Sequence, residues 1–345
     1  MRIWRIRAPG LRPVDRMNPV RRLKACPTRG SALLAVLWVS AALAAIGFSL
    51  ASTVRGETDR TATAVDGLRA YYLASGSIYR ATYELLWSVN NPGKRLIPRG
   101  STQVEYTFPT GNVRVELLPE QGKLDVNASP AEELYRLCVA LGLDPERARE
   151  IALAIADWRA VSTAAGFDEY YGSLKPSFRA RHASFEEIEE LLLVKGVTPD
   201  IYYGTYVPSP ENVAGTRLVA RQGLVDCLSV YGSRSAVDAN TAASAVLEAI
   251  GLPPDVVSAL VAKRRLEPFT AGTLAEFLRA YGAASARLRV EGNSIVSFRA
   301  TARLRLPDGR LSDLRRTVAA QIKYMPPGYD APIHILRWYD TAWSF

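Results

Sequence analysis

The sequence predicts an α+β protein in which a long N-terminal helix packs on an antiparallel sheet and a large all-α insertion interrupts that sheet. Three observations predict it. An uncharged apolar run, Ser31 to Val54, opens a long helical pattern. Strand-like alternation occurs in two stretches far apart, residues 101–119 and 286–324. The sequence between them is helical and internally repetitive.

The apolar run SALLAVLWVSAALAAIGFSLASTV is flanked by Arg29 and Arg55. At about 1.5 Å per helical residue it reaches roughly 36 Å, enough for the ~30 Å hydrocarbon core of a bilayer with some tilt. Nine Lys or Arg precede it against one acid, Asp15, whereas Arg55 and Arg60 just after it are balanced by Glu57 and Asp59. The positive-inside bias therefore keeps the N-terminus cytoplasmic and exports the chain beyond Val54. A buried core helix is the bland alternative, and the basic leader and absence of charge argue against it. The whole chain carries 43 basic and 34 acidic residues, net +9, but residues 31–345 alone hold 34 and 33. The basic excess belongs to the leader, so the exported part gives no electrostatic reason to bind nucleic acid.

The leader ends in Thr28-Arg29-Gly30, directly before Ser31-Ala32-Leu33-Leu34. A short basic segment closing in Gly at the edge of an apolar run resembles the prepilin peptidase site of type IV pilins and type II secretion pseudopilins. The resemblance implies cleavage after Gly30, a mature chain starting at Ser31 and an apolar helix retained in the membrane. The fifth mature residue, usually Glu in that family, is Ala35 here. The resemblance gives that Glu a pairing with the terminal amine of an adjacent subunit, because an unpaired carboxylate in lipid is costly. A subunit without it suits a filament tip. The competing reading takes Ala42-Leu43-Ala44 as a signal-peptidase site and releases a soluble periplasmic protein.

Beyond the run, Val65, Leu68, Tyr72, Tyr79, Tyr83 and Leu86 recur at steps near three or four or their sum, as one face of a continuing helix. Gly47, Gly56, Gly67 and Gly76 each cost such a helix roughly 1 kcal/mol against Ala. Asn90-Asn91-Pro92-Gly93 ends it. A lipid-facing first half with a domain-facing second half is the pilin arrangement.

Val104, Tyr106 and Phe108, then Val113, Val115 and Leu117, alternate on either side of Pro109-Thr110-Gly111-Asn112 and predict a hairpin. Residues 286–324 supply further strands, ARLRVEG, SIVSFRATARLRL and SDLRRTVAAQIKYM, with turns at Gly292-Asn293 and Pro307-Asp308-Gly309. Strands must pair to satisfy their backbone groups, so these two distant stretches form one sheet. Arg287 with Arg289 and Arg303 with Arg305 mark a solvated face. After Met325 a tail rich in Pro and aromatic residues either covers a sheet edge or meets a partner.

The insertion repeats two signatures. Asp125-x-Asn127 and Asp238-x-Asn240 each precede small residues and a helical pattern. Gly142-Leu143-Asp144-Pro145-Glu146, Gly196-Val197-Thr198-Pro199-Asp200 and Gly251-Leu252-Pro253-Pro254-Asp255 each read as a helix ending at Gly and another opening with Pro and an acid. Asp144 and Thr198 are good N-caps and Pro253 is not. Such turns resemble the helix-hairpin-helix of DNA-binding proteins, which makes an envelope-anchored DNA-binding protein the alternative function. The second Gly of that module is replaced by Asp144, Thr198 and Pro253, and each second helix opens with a carboxylate. Cys138 lies among Leu134, Leu137 and Leu141 at helical spacing, so a buried free thiol is expected there rather than a bridge to Cys227.

Taken together, the Gly-ended leader, Ala35, KLDVN, Asp157-Trp158-Arg159, FEEIEELLLVKGVTPDIY and VDANTAASAVL resemble the K component of type II secretion, a large minor pseudopilin. The resemblance implies 1–30 as leader, 31–92 as transmembrane and amphipathic helix, 93–122 with 285–325 as a pilin-like β domain, 123–284 as helical insertion and 326–345 as tail. It also implies an inner-membrane protein at the pseudopilus tip, with prepilin peptidase and the minor pseudopilins I and J as partners. Calcium is implied with less support: Asp157, Asp168 and Glu169 are the candidate ligands, but Ala160 and Ser162 stand where further acids belong, and Ca²⁺ takes six to eight oxygens. Asp157 alternatively caps a helix or pairs with Arg159. With His182 and His334 the only histidines, no P-loop and no G-x-S-x-G, no catalytic machinery is expected and no cofactor is required. The DNA-binding alternative predicts salt-sensitive retention of the protein on immobilised DNA at ~50 mM salt; the expected result is that it flows through.

Overall fold

No proline interrupts the sequence from Ser31 to Asn90, and the helical pattern closes into one helix, α1 (Ser31–Asn90). Asn91 stops it, its backbone and side-chain nitrogens both donating to the Trp87 carbonyl at 2.9 and 3.1 Å. The computed structural model describes residues 31–91, 93–98, 100–161, 166–208, 218–282, 287–290, 294–326 and 328–342. The chain divides into two compact units, Met1–Thr63 and Ala64–Phe345. In the first, every described side chain of α1 is exposed.

In the second unit, the sheet opens with β1 (Gln103–Phe108) and β2 (Gly111–Pro119), the predicted hairpin, with Phe108 opposite Gly111. The chain then leaves for β3 (Leu124–Asp125), α2 (Ala131–Ala140), α3 (Pro145–Trp158) and α4 (Asp168–Ser173). It continues through a 3-10 turn at Ile188–Leu193, α5 (Pro199–Tyr203), β4 (Thr205–Pro208) and β5 (Leu218–Arg221). Next come α6 (Leu224–Cys227), β6 (Leu228–Ser229), β7 (Val237–Asp238), α7 (Ser244–Ala249), α8 (Pro254–Leu266), α9 (Ala271–Ala280) and β8 (Leu288–Arg289). It returns as β9 (Ile295–Arg305), β10 (Leu311–Tyr324) and β11 (Ile333–Tyr339). Among the described residues the main sheet is five-stranded and antiparallel, in the order β1-β2-β9-β10-β11.

Two segments differ from expectation. Of the predicted 286–292 strand, residues 287–290 are described and are not part of the main sheet: β8 pairs in parallel with β7, where Arg287 reaches Glu133 at 2.6 Å and the Ser235 carbonyl, and so belongs to the insertion. The return to the sheet begins at Ile295. The tail supplies the edge strand β11, whose Trp338 stacks on Tyr79 of α1 at 5.5 Å while Asp340 accepts from the Tyr71 hydroxyl and the Trp338 indole. The arginines expected to be solvated are bonded to protein: Arg289 to Gln121, Arg303 to the Ser312 and Leu311 carbonyls, and Arg305 to Gly309 and Asn112.

Two cores result. In the first, Val113, Val115 and Leu117 of β2, Phe298, Ala300 and Ala302 of β9, and Val318, Ala320 and Ile322 of β10 share the inner face of the sheet. The face of α1 that covers it is not the one the aromatic spacing marks. Ala70, Ala74, Ile78 and Ala81 are fully buried, whereas Leu68, Tyr72 and Tyr83 are more than half exposed. Small side chains let the helix axis approach the strands, and the bulky ones are left outside. Gly111 answers the same crowding, since a Cβ there would stand 2.3 Å from the Arg303 carbonyl oxygen.

The second core lies in the insertion, where Leu134 and Leu137 of α2, Ile151 and Ile155 of α3, Val246 of α7 and Leu260 of α8 are buried together. The three predicted glycine turns are present, with Gly142, Gly196 and Gly251 all at φ between 80° and 99°. Asp144 caps α3 through the Glu146 and Arg147 amides, but the Thr198 side chain makes no cap bond, and its carbonyl alone closes the short α5. Cys138 and Cys227 are both buried and unbridged. Burial pushes the Cys138 thiol up to about 12 and raises Cys227 as well, which keeps both protonated.

If the alanine face sets the fit, Ala74→Leu should destabilise the protein by about 1–3 kcal/mol through overpacking. Leu68→Ala on the exposed face should stay within ~0.5 kcal/mol. Urea unfolding of the two variants measures both.

Candidate functional site

The candidate residues fall in two places. Gly30 lies outside the described residues. Ser31 is the first described residue of α1, and Ala35 sits in its first turns with no acidic neighbour there. Leu33, Trp38 and Phe48 are each more than 70 % exposed, and this helix is long and apolar enough to cross a membrane.

The second place is built on the repeated Asp-x-Asn signature. Asp125 Oδ1 accepts from the Asn127 amide at 2.7 Å. The Asn127 side chain then holds the Phe185 backbone from both sides, donating to its carbonyl at 3.0 Å and accepting from its amide at 2.7 Å. In the second copy, Asp238 Oδ1 accepts from Asn240 at 3.1 Å, and Asn240 holds Phe269 the same way at 3.0 and 2.8 Å. An arginine completes each copy: Arg159 donates to the Val126 and Ser129 carbonyls, and Arg264 to those of Ala239 and Ala242. Each clamp ties the start of a helical unit to its final segment.

Arg159 is therefore engaged by carbonyls and does not pair with Asp157. The Asp157 carboxylate, 7 % exposed, has no hydrogen-bond partner. Beside it lies His182, whose role no spacing in the sequence marked. Its Nε2 faces both oxygens of Asp168 at 3.0 and 3.1 Å and its Nδ1 faces the Ala160 carbonyl at 3.1 Å. An acceptor at each nitrogen is satisfied by the doubly protonated ring. His182 also adopts φ 48°, in the left-handed region. The Asp168 contact, above all, raises its pKa over the ordinary 6.5. Burial pushes the Asp157 carboxyl up, His182 pulls it down and Asp168 adds to the rise.

These residues do not fit calcium. Asp168 is occupied by His182, Glu169 is exposed, Ser162 lies outside the described residues, and Asp157 is left as the single buried carboxylate of the three candidates. Among the described residues no group of three or more His, Cys, Asp or Glu is placed to hold a metal ion. The basic group that faces these carboxylates is the His182 imidazole. The helix-hairpin-helix alternative gains no support either, because the helices after the three turns begin with Glu146, Asp200 and Asp255 in their first turns.

Both shifts tie stability to pH in one direction. A histidine whose folded pKa is raised contributes stability that is fully present below 6.5 and is lost as pH rises through its folded value. Asp157, raised by burial, acts in the same direction at lower pH, since ionising it disfavours the folded state. Stability should fall on going upward from pH 6.5, and His182→Gln should flatten that fall, as read from thermal unfolding at a series of pH values.

Comparison with known proteins bears on the same region. Residues 114–204, which include α2, α3, the first Asp-x-Asn clamp and the Asp157 cluster, match the family model described as type II secretion system (T2SS), protein K. The type II secretion system protein K of Klebsiella pneumoniae is 24 % identical over 194 residues, covering 50 % of this chain; the chain spans 60 % of the length of that relative. The crystal structure of the GspK-GspI-GspJ complex from the enterotoxigenic Escherichia coli type 2 secretion system contains a chain that matches with a TM-score of 0.56 and 18 % identity. The match covers 83 % of this chain and 100 % of that one, and establishes likeness of fold. Residues 114–204 thus carry a domain similar to that of the type II secretion system protein K family.

Proposed function

We propose that the chain is a minor pseudopilin of a type II protein secretion system, anchored in the inner membrane by α1. It stands at the pseudopilus tip with the I and J pseudopilins and helps start assembly for the export of folded proteins. The observation that carries this reading is the protein K match within an insertion hung on a sheet that packs on the same helix whose apolar first half can cross a membrane. The role is structural and needs no catalytic residue or cofactor, the acidic cluster at Asp157 being served by His182. The basic leader sets the N-terminus in the cytoplasm and the sheet and insertion in the periplasm. Prepilin peptidase cleaves after Gly30, and Ala35, lacking a carboxylate, makes no demand on a subunit ahead of it.

N-terminal sequencing of the protein recovered from membranes should read Ser31 first, and Gly30→Leu should keep the leader and fail to co-purify with the I and J components. A mature chain starting near Ile46, or normal maturation of the variant, would refute the reading.

A further inference from the structure

The outer face of the sheet carries arginines that strand pairing brings together. Arg303 of β9 stands directly opposite Arg315 of β10, and on its other side opposite Asn112 of β2, two residues before Arg114. Residues paired in this way have Cβ atoms about 5 Å apart, and like charges so placed are destabilising. Arg114, Arg303 and Arg315 line one open recess of about 370 Å³, together with Glu105 and Glu116. Arg315 is exposed, and Arg114 and Arg303 keep 58 % and 33 % of their side-chain surface, so all three meet solvent.

Both acids of the recess are already paired. Glu105 accepts twice from Arg114, at 3.0 and 2.8 Å, and Glu116 meets Arg299 at 3.3 Å. The other arginines are held in place without being neutralised. Arg303 donates to the Ser312 and Leu311 carbonyls at 2.8 and 3.2 Å. Arg305, two residues on and on the same face, donates to the Gly309 carbonyl at 3.1 Å and to the Asn112 side chain at 2.8 Å. These four acceptors are uncharged. Arg315 makes no hydrogen bond or ion pair among the described residues. Against these three arginines stands one exposed carboxylate, Asp313, 3.7 Å from Arg303, which leaves two positive charges in excess.

We propose that this face docks an acidic segment of another polypeptide, in extended form, with carboxylates at alternate positions. Arg303 and Arg305 stand about 7 Å apart along β9, the repeat of alternate residues in an extended chain, so an acid-x-acid segment presents its carboxylates in the same step. A guanidinium takes a carboxylate through two parallel bonds, and one already positioned by carbonyls loses little freedom in doing so. A small anion in so open a recess stays hydrated and is held weakly. Several carboxylates on one chain add their contributions. The surface stands apart from the filament role and does not depend on it.

The test uses the full chain in detergent and the fluorescence anisotropy of a labelled Gly-Glu-Val-Glu-Val-Glu-Gly peptide, with the peptide bearing Gln for every Glu as control. Saturable binding of the acidic peptide at ~20 mM salt, its loss at ~300 mM salt and no binding of the control are expected. Arg315→Gln, which breaks no bond within the protein, should weaken binding about two- to fivefold, and Arg303→Gln at least as much. Arg179→Gln removes an exposed arginine of the insertion instead and should leave binding unchanged. No saturable binding, equal binding of the control peptide, or equal losses in the Arg315 and Arg179 variants would overturn the proposal. So would displacement by inorganic phosphate at an ionic strength where chloride displaces nothing, which assigns the recess to a small oxyanion, or equal affinity for a short DNA duplex, which assigns it to polyanions at large.

Discussion

The pairing of β2 with β9 is the constraint on which the rest of the second unit depends. Pro119, the last residue of β2, stands opposite Val296 at the start of β9. The long insertion therefore leaves and returns at one end of the sheet, its two ends held side by side by backbone hydrogen bonds. Closing so long a loop is unfavourable, though only logarithmically with length. The insertion offsets this with a core of its own, separate from the layer under α1. Parallel pairing of β3 with β6 and of β7 with β8 ties its two ends to its middle.

Within that core the same device is used twice. An asparagine amide has one donor and one acceptor side, and a backbone peptide offers the complement, so Asn127 and Asn240 each fix a distant phenylalanine in place and direction. The rings then work as packing units: Phe185 stacks on Trp158 at 6.2 Å, and Phe269 meets Phe277 edge-on at 5.4 Å. Both clamps are fully paired, the condition under which buried polar groups specify a fold rather than weaken it.

What the sequence revealed and what it hid divide along physical lines. Long helical periodicity, the hairpin and the glycine turns are local, and all three were legible from spacing. The Asp-x-Asn repeat was legible as a repeat, but its partners were not, because Phe185 and Phe269 lie 58 and 29 residues away and are bonded through their backbones, which carry no residue signature. The buried face of α1 was misread because periodicity reports where bulky apolar residues fall, whereas close helix-to-sheet contact selects alanine. Aromatic spacing on such a helix marks the side left free. At the candidate calcium site the carboxylates were visible, but His182, 14 residues beyond Asp168, was not.

The exposed aromatic face of α1 and the buried acid on its other side are two halves of one solution. Glu84 is 8 % exposed, yet its carboxylate is held by Arg80 at 2.9 Å and by the Tyr106 hydroxyl at 2.6 Å, and Arg80 itself lies 4.4 Å over the Tyr106 ring. Burial and that carboxylate raise the Tyr106 pKa, so the phenol stays a donor. A polar lock of this kind fixes the rotation of α1 against β1, which alanine contacts alone would leave loosely defined. With the rotation fixed, Tyr72, Tyr83 and Trp87 are held outward. A helix that must lie against the sheet on one side and offer rings on the other needs small residues, one paired acid and bulk in that angular order, and residues 70 to 88 supply it.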